Sequence, residues 1–153
     1  MRLIIRAEFL PPGEIKVVKE NKMKKIVLDL QSGLYAKLLE RAMLQELDNH
    51  QIIISKTPNL TKDICEIHKP RVVIMEVTGY SPWMLNDRLE LSNKIRKNNP
   101  ECKIIFMTDG DANKKLADQI VKAKQSGYAD SILFTSVSEN FLAAVITSLE
   151  NQE

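Results

Sequence analysis

Pro70-Arg71-Val72-Val73-Ile74-Met75-Glu76-Val77 is the stretch on which the fold turns. A proline-led turn feeds a short run of apolar, mostly β-branched residues, and the run closes on one acidic side chain. About 30 residues later, the length of one strand–helix–strand unit, Lys103-Ile104-Ile105-Phe106-Met107-Thr108 follows the same plan and closes on a hydroxyl. Apolar runs without alternation belong to strands covered on both faces, as in a parallel sheet flanked by helices. Polar residues closing such strands mark the carboxyl edge of the sheet, where open α/β proteins place their sites.

The same alternation extends in both directions. Upstream, Ile26–Leu30 reads as a first strand, followed by an amphipathic helix over Leu34–Leu47 with Leu34, Leu38, Leu39, Ala42 and Met43 at helical spacing. Gln51–Ser55 reads as the second strand and Asn59–His68 as the second helix, with Leu60, Ile64 and Ile67 along one face. Val72–Val77 is the third strand, residues 78–85 a loop and Asn86–Lys97 the third helix. Lys103–Thr108 is the fourth strand; Ala112–Ser126 is a helix with Asp111 as its N-cap and Gly127 at its C-terminal cap. Ser131–Thr135 is the fifth strand, and Ser138 caps a last helix over Glu139–Leu149. Five such units predict an α/β, doubly wound five-stranded parallel sheet with right-handed crossovers and helices on both faces.

The first 22 residues stand outside this pattern. Residues 2–9 and 14–19 read as β segments, and Pro11-Pro12-Gly13-Glu14 between them reads as a hairpin turn. Lys19-Glu20-Asn21-Lys22 reads as a linker. The expected organisation is an N-terminal arm over residues 1–22 and a single domain over 23–153. The arm reads equally as an added hairpin, a segment that pairs with another subunit, or an expression artefact. A two-stranded hairpin alone is marginal in water, so an ordered arm would pack on the domain, extend a sheet edge or pair with a second copy.

Charge is divided along the chain. Residues 1–25 hold seven basic and three acidic side chains, a net +4, which leaves −2 on the rest of a chain whose total is +2. That balance is too small to point to nucleic acid or membrane, and the basic leader reads as a solvated strand or an interaction arm. Two cysteines, Cys65 and Cys102, do not make a disulfide framework, so a reducing, cytoplasmic setting is expected. No apolar run reaches the ~18 residues a membrane span needs.

The order and spacing of Pro70–Val77, Lys103–Thr108 and the stretch Ala123–Leu142 resemble the receiver (CheY-like) domain of bacterial response regulators. Within the last stretch, Ala123, Gly127, Asp130, Ile132, Glu139, Phe141 and Leu142 fall at that family's spacing. The resemblance covers residues 23–150 and implies the flavodoxin-like strand order 2-1-3-4-5. It also implies a site: an acidic pair after strand one that holds Mg²⁺, an aspartate after strand three that takes a phosphoryl group, a Thr or Ser after strand four and a lysine after strand five.

This chain departs from that set. The acidic pair falls on Leu30 and Gln31, with Asp29 one residue away as the acidic-site candidate. The phosphoacceptor position holds Glu76, the phosphate-contact position holds Thr108, and the lysine position falls on Phe134. Phe cannot pair with a phosphate. Glu76 reads either as a fixed negative charge that mimics a phosphorylated aspartate or as a solvated residue at a strand end. The aromatic position of strand five holds Ser131. The loop Thr78–Leu85 is longer than the family's and contains Trp83, which reads as folding back onto a helix or as a partner patch.

Other constellations carry less. Cys65 and His68 have metal-ligand spacing but are only two. Asp109-Gly110-Asp111 lacks the remaining ligands of a calcium loop. No Gly-rich phosphate loop or nucleophile elbow is present.

The expectation is therefore a stand-alone, degenerate receiver-like domain of two-component signalling. It would act by protein–protein interaction and not as an enzyme, without cofactor and without Mg²⁺ binding. Its partner would be a signalling protein, with a homodimer possible through the arm or through the fourth-helix, fifth-strand and fifth-helix face of Ile120, Tyr128, Ile132, Phe141 and Val145. Neither DNA nor membrane is an expected partner. The alternatives are a conventional phosphoacceptor in a phosphorelay and a small-ligand-binding flavodoxin-like module.

Overall fold

The computed structural model describes the backbone of residues 2–6 and 16–20 and the whole of residues 23–152. Strands β1 (Arg2–Arg6) and β2 (Lys16–Glu20) form an antiparallel ladder with Arg2 opposite Glu20 and Arg6 opposite Lys16. The expected Pro-Gly turn lies outside the described residues. Lys19 and Glu20, expected in the linker, belong to β2.

From Lys24 the chain runs β3 (Lys24–Asp29), α1 (Gly33–Glu46), β4 (His50–Ile54), α2 (Pro58–His68), β5 (Val72–Glu76), α3 (Leu85–Asn98), β6 (Lys103–Thr108), α4 (Lys114–Gln125), β7 (Ser131–Phe134) and α5 (Glu139–Glu150). The five parallel strands lie in the order β4-β3-β5-β6-β7, which is 2-1-3-4-5 when these five are counted alone. The expected fold class holds, and the fourth strand has the expected bounds.

Strand alternation builds two cores. Ile26, Leu28, Val72, Ile74, Ile105 and Met107 pack with Ala36, Leu39 and Met43 of α1 and Leu142 and Ile146 of α5. Val27, Val73, Met75, Ile104 and Phe106 pack on the other face with Cys65 of α2, Ile95 of α3 and Ile120 of α4. A parallel strand buried on both faces asks for an apolar run, and β5 and β6 supply it between their polar ends.

Local chemistry fixes the helix ends. Ser32, Asn113 and Ser138 cap α1, α4 and α5 by accepting from the backbone N–H of Tyr35, Leu116 and Phe141. Asp111, the expected cap of α4, stands two residues outside the role. Its own N–H donates to Asp109 Oδ1 in a turn that precedes the helix. Gly127 follows α4 with φ +88°, a conformation that favours glycine.

Two other expectations are corrected. In α2 the buried residues are Thr61 and Cys65; of the expected stripe Ile64 packs partly buried against the core, while Leu60 and Ile67 are exposed. The helix is turned to aim the Thr61 hydroxyl at Asp29, where it serves a buried polar network. Ile120, expected on a surface with Tyr128 and Phe141, is wholly buried under the sheet because it is α4's central core contact.

Candidate functional site

The chain leaves β3 toward one sheet edge and returns to place β5 on the other side of β3. The strand order reverses between these neighbours, and open α/β folds form a crevice at such a point. Asp29 closes β3 and Glu76 closes β5, so both stand at the crevice.

Their side chains diverge. Asp29 shares the face of Val27, toward α2 and α3, whereas Glu76 shares the face of Ile74, toward α1. The contacts follow this alternation. Arg88 of α3 reaches under the sheet edge and donates from Nη1 to Asp29 Oδ2 at 2.7 Å and from Nη2 to Asp29 Oδ1 at 3.0 Å. Its Nη2 also donates to the Asp29 carbonyl at 3.1 Å and its Nε to the Glu76 carbonyl at 2.8 Å. Asp29 and Arg88 are both 0% exposed. Thr61 Oγ1 donates to Asp29 Oδ2 at 2.6 Å, and the Ser55 hydroxyl lies 2.7 Å from Thr61 Oγ1 and 2.9 Å from the Thr57 carbonyl. Both oxygens of the Asp29 carboxylate are thus satisfied by the protein.

Glu76 faces a different neighbourhood. Its Oε1 accepts the Gln31 N–H at 2.7 Å, just ahead of the N-terminus of α1, where the helix dipole favours negative charge. Burial, then the negative charges of Glu76 and Glu139, raise the pKa of Tyr35 above its ordinary 10.0, which keeps the phenol neutral. The longer glutamate side chain therefore spans from β5 to α1.

Thr108 is 2% exposed and donates its hydroxyl to the Val77 carbonyl at 3.2 Å. Phe134 lays its ring across Gly110 in the loop after β6: a Cβ at Gly110 would stand 2.6 Å from the Phe134 ring. A side chain at Gly110 would meet that ring, and the ring would have to move to admit it. The structure thus brings Asp29 to Arg88, Glu76 to α1 and Phe134 to Gly110, and does not converge these groups on one point.

The loop before α3 closes on itself through Thr78 N–H to the Trp83 carbonyl and Trp83 N–H to the Tyr80 carbonyl, both 2.9 Å. Trp83 is half-buried and Met84 occupies the N-cap of α3 without a side-chain bond. Tyr80 is exposed. Cys65 is a buried free thiol, His68 Nδ1 lies 3.5 Å from Lys25 Nζ, and among the described residues no three metal-ligating side chains cluster.

Arg88 is the residue sequence reasoning missed. Its signal was position: Arg88, Ser92 and Ile95 are the buried residues of α3 at i, i+4 and i+7, so a guanidinium stands where the pattern asks for an apolar side chain.

No protein-family model matches the chain, and no curated protein matches it. Solved structures do. A response regulator from Thermotoga maritima superposes with a TM-score of 0.66 at 16% identity, covering 85% of this chain and 99% of that one. A LuxR-family DNA-binding response regulator from Staphylococcus aureus gives 0.68 at 20% identity, covering 84% of this chain and 100% of that one. A CheY-like receiver domain protein from Methanospirillum hungatei gives 0.66 at 19% identity, covering 84% and 94%. At these identities the likeness is one of fold: the chain has the CheY-like, flavodoxin-like fold of response regulator receiver domains.

Proposed function

We propose that the chain is a receiver-like module of two-component signalling that acts by binding protein partners and neither takes a phosphoryl group nor catalyses a reaction. The observation that carries this reading is the Asp29–Arg88 pair. Receiver chemistry asks for a divalent cation at the carboxyl edge of the sheet, and Mg²⁺ takes carboxylate oxygens with near-octahedral demands. Here the carboxylate that closes β3 is Asp29, and a guanidinium already holds both of its oxygens. The residues present do not fit the metal. Glu76 in the phosphoacceptor position accepts the Gln31 N–H ahead of α1, and Phe134 in the lysine position offers no positive charge to a phosphate.

Incubation with acetyl phosphate and Mg²⁺ followed by intact-mass and peptide mass spectrometry tests this. The expected result is an unmodified chain. A stable phosphoryl adduct on Glu76 would overturn the reading and favour a phosphorelay role.

The partner side of the proposal includes a second copy. β1 and β2 hydrogen-bond to each other in their own two-stranded sheet, separate from the five-stranded one. A hairpin of that size is marginal alone, and strand addition at a sheet edge is one way to order it. The expected result is that light scattering finds a dimer for the full chain and a monomer for a chain starting at Met23. The same mass for both at one concentration would remove the arm from association. Among the described residues no helix is long and apolar enough to cross a membrane.

A further inference from the structure

We propose that Arg88 is an internal cation standing in a hard-cation site, and that its guanidinium alone closes that site to divalent ions. The inference rests on the site reading above and extends it. Its evidence is the acceptor set. Among the described residues the Arg88 guanidinium donates to four oxygens: Asp29 Oδ1, Asp29 Oδ2, the Asp29 carbonyl and the Glu76 carbonyl. Carboxylate and backbone carbonyl oxygens arranged around one buried positive group are the ligand types Ca²⁺ and Mg²⁺ take, with water completing the shell. Thr61 steadies the same carboxylate by donating to Oδ2, the kind of bond that orients a metal-binding carboxylate.

The oxygens are supplied by two strand ends, and Thr61 holds one of them in place. Asp29 ends β3, Glu76 ends the adjacent β5, and Thr61 opens α2. Arg88, the group they surround, comes from a further element, α3. Removing its side chain leaves the oxygen cage in place and takes away its charge. The uncompensated buried carboxylate then has two ways to be neutralised: protonation, or capture of a cation from solution. The wild-type chain needs neither, because two cations sharing these acceptors would repel.

The consequence for function is a site held in one charge state. Arg88 joins the ends of β3 and β5 to α3 without an exchangeable ion, so the conformation of this edge does not follow divalent-ion concentration.

The test is thermal unfolding of wild type, Arg88→Ala and the Asp29→Asn/Arg88→Ala double variant, each with and without MgCl₂ or CaCl₂. Wild type is expected to be insensitive to either salt beyond an equal ionic-strength control. Arg88→Ala is expected to unfold at a lower temperature and to recover by about 3–6 °C at a cation concentration tenfold above its dissociation constant. The double variant is expected to show no recovery. If Arg88→Ala is unfolded without metal, the same titration read by circular dichroism should show cation-dependent folding. No response of Arg88→Ala to either ion, folded or unfolded, would overturn the proposal. So would a saturable Mg²⁺ response of the wild type that Asp29→Asn abolishes. A phosphoryl adduct on Glu76 would sink the functional reading, whereas these arms bear on the Arg88 cage alone.

Discussion

Asp29→Ala is expected to destabilise the protein by about 3–5 kcal/mol, the cost of leaving one member of a buried ion pair uncompensated. Both partners are wholly buried, so water cannot take over the lost bonds. Replacing both, as Asp29→Leu with Arg88→Met, is expected to recover at least half of that loss. Apolar groups of similar volume carry no desolvation penalty and often match or exceed a buried ion pair. Recovery should stop short of complete, because the Glu76 carbonyl loses the Arg88 Nε–H that now satisfies it. Urea unfolding of the three proteins, with comparable slopes, is the measurement. A single variant within 1 kcal/mol of wild type (about one typical hydrogen bond) would mean the pair is not formed in solution.

The second large effect concerns the thiols. Burial pushes Cys65 up to about 12, with the negative charges of Cys102, Asp29 and Glu66 adding to it. Burial pushes Cys102 up to about 12 as well, with Arg96 opposing the rise and Asp130 adding to it. Against an ordinary value of 9.0, each thiolate fraction near neutral pH falls by roughly 10³. Native-state labelling with a thiolate-specific disulfide reagent is therefore expected to be about a thousandfold slower than labelling of the denatured chain. A native rate within about tenfold of the denatured one would show that burial does not protect the thiolate. The sign for stability follows. A folded pKa above the unfolded one means that stability is intact below pH 9.0 and is lost as pH rises toward 12.

The fold was readable because its strands are. Val72–Glu76 and Lys103–Thr108 are apolar at nearly every position, and only a strand covered on both faces asks for that. Strand ends placed Glu76 and Thr108 at one edge of the sheet, while the first strand, read to Leu30, ends at Asp29. What stayed hidden was how they are used. Which face Glu76 takes depends on the phase of β5, and Phe134 makes sense only beside Gly110, 24 positions earlier in the chain. Arg88 was hidden for a simpler reason. A charged residue in a helix rich in Asn, Asp, Glu and Lys reads as solvated, and only the burial of Ser92 and Ile95 on the same face shows otherwise. The misassigned face of α2 has the same cause, since Thr61 is drawn inward to serve Asp29 and leaves Leu60 and Ile67 outside.

The central claim is that Asp29 belongs to Arg88 and not to a metal or a phosphoryl site. Side-chain NMR of Arg88 in the ¹⁵N-labelled wild-type chain tests it most directly. The expected result is a resolved, slowly exchanging Nε–H signal, since that proton is buried and donated to the Glu76 carbonyl at 2.8 Å. The signal should not move, nor should the Gln31 amide that Glu76 accepts, when excess Mg²⁺ and beryllofluoride are added together. A rapidly exchanging Nε–H, or saturable shifts of both signals on that addition, would contradict the claim.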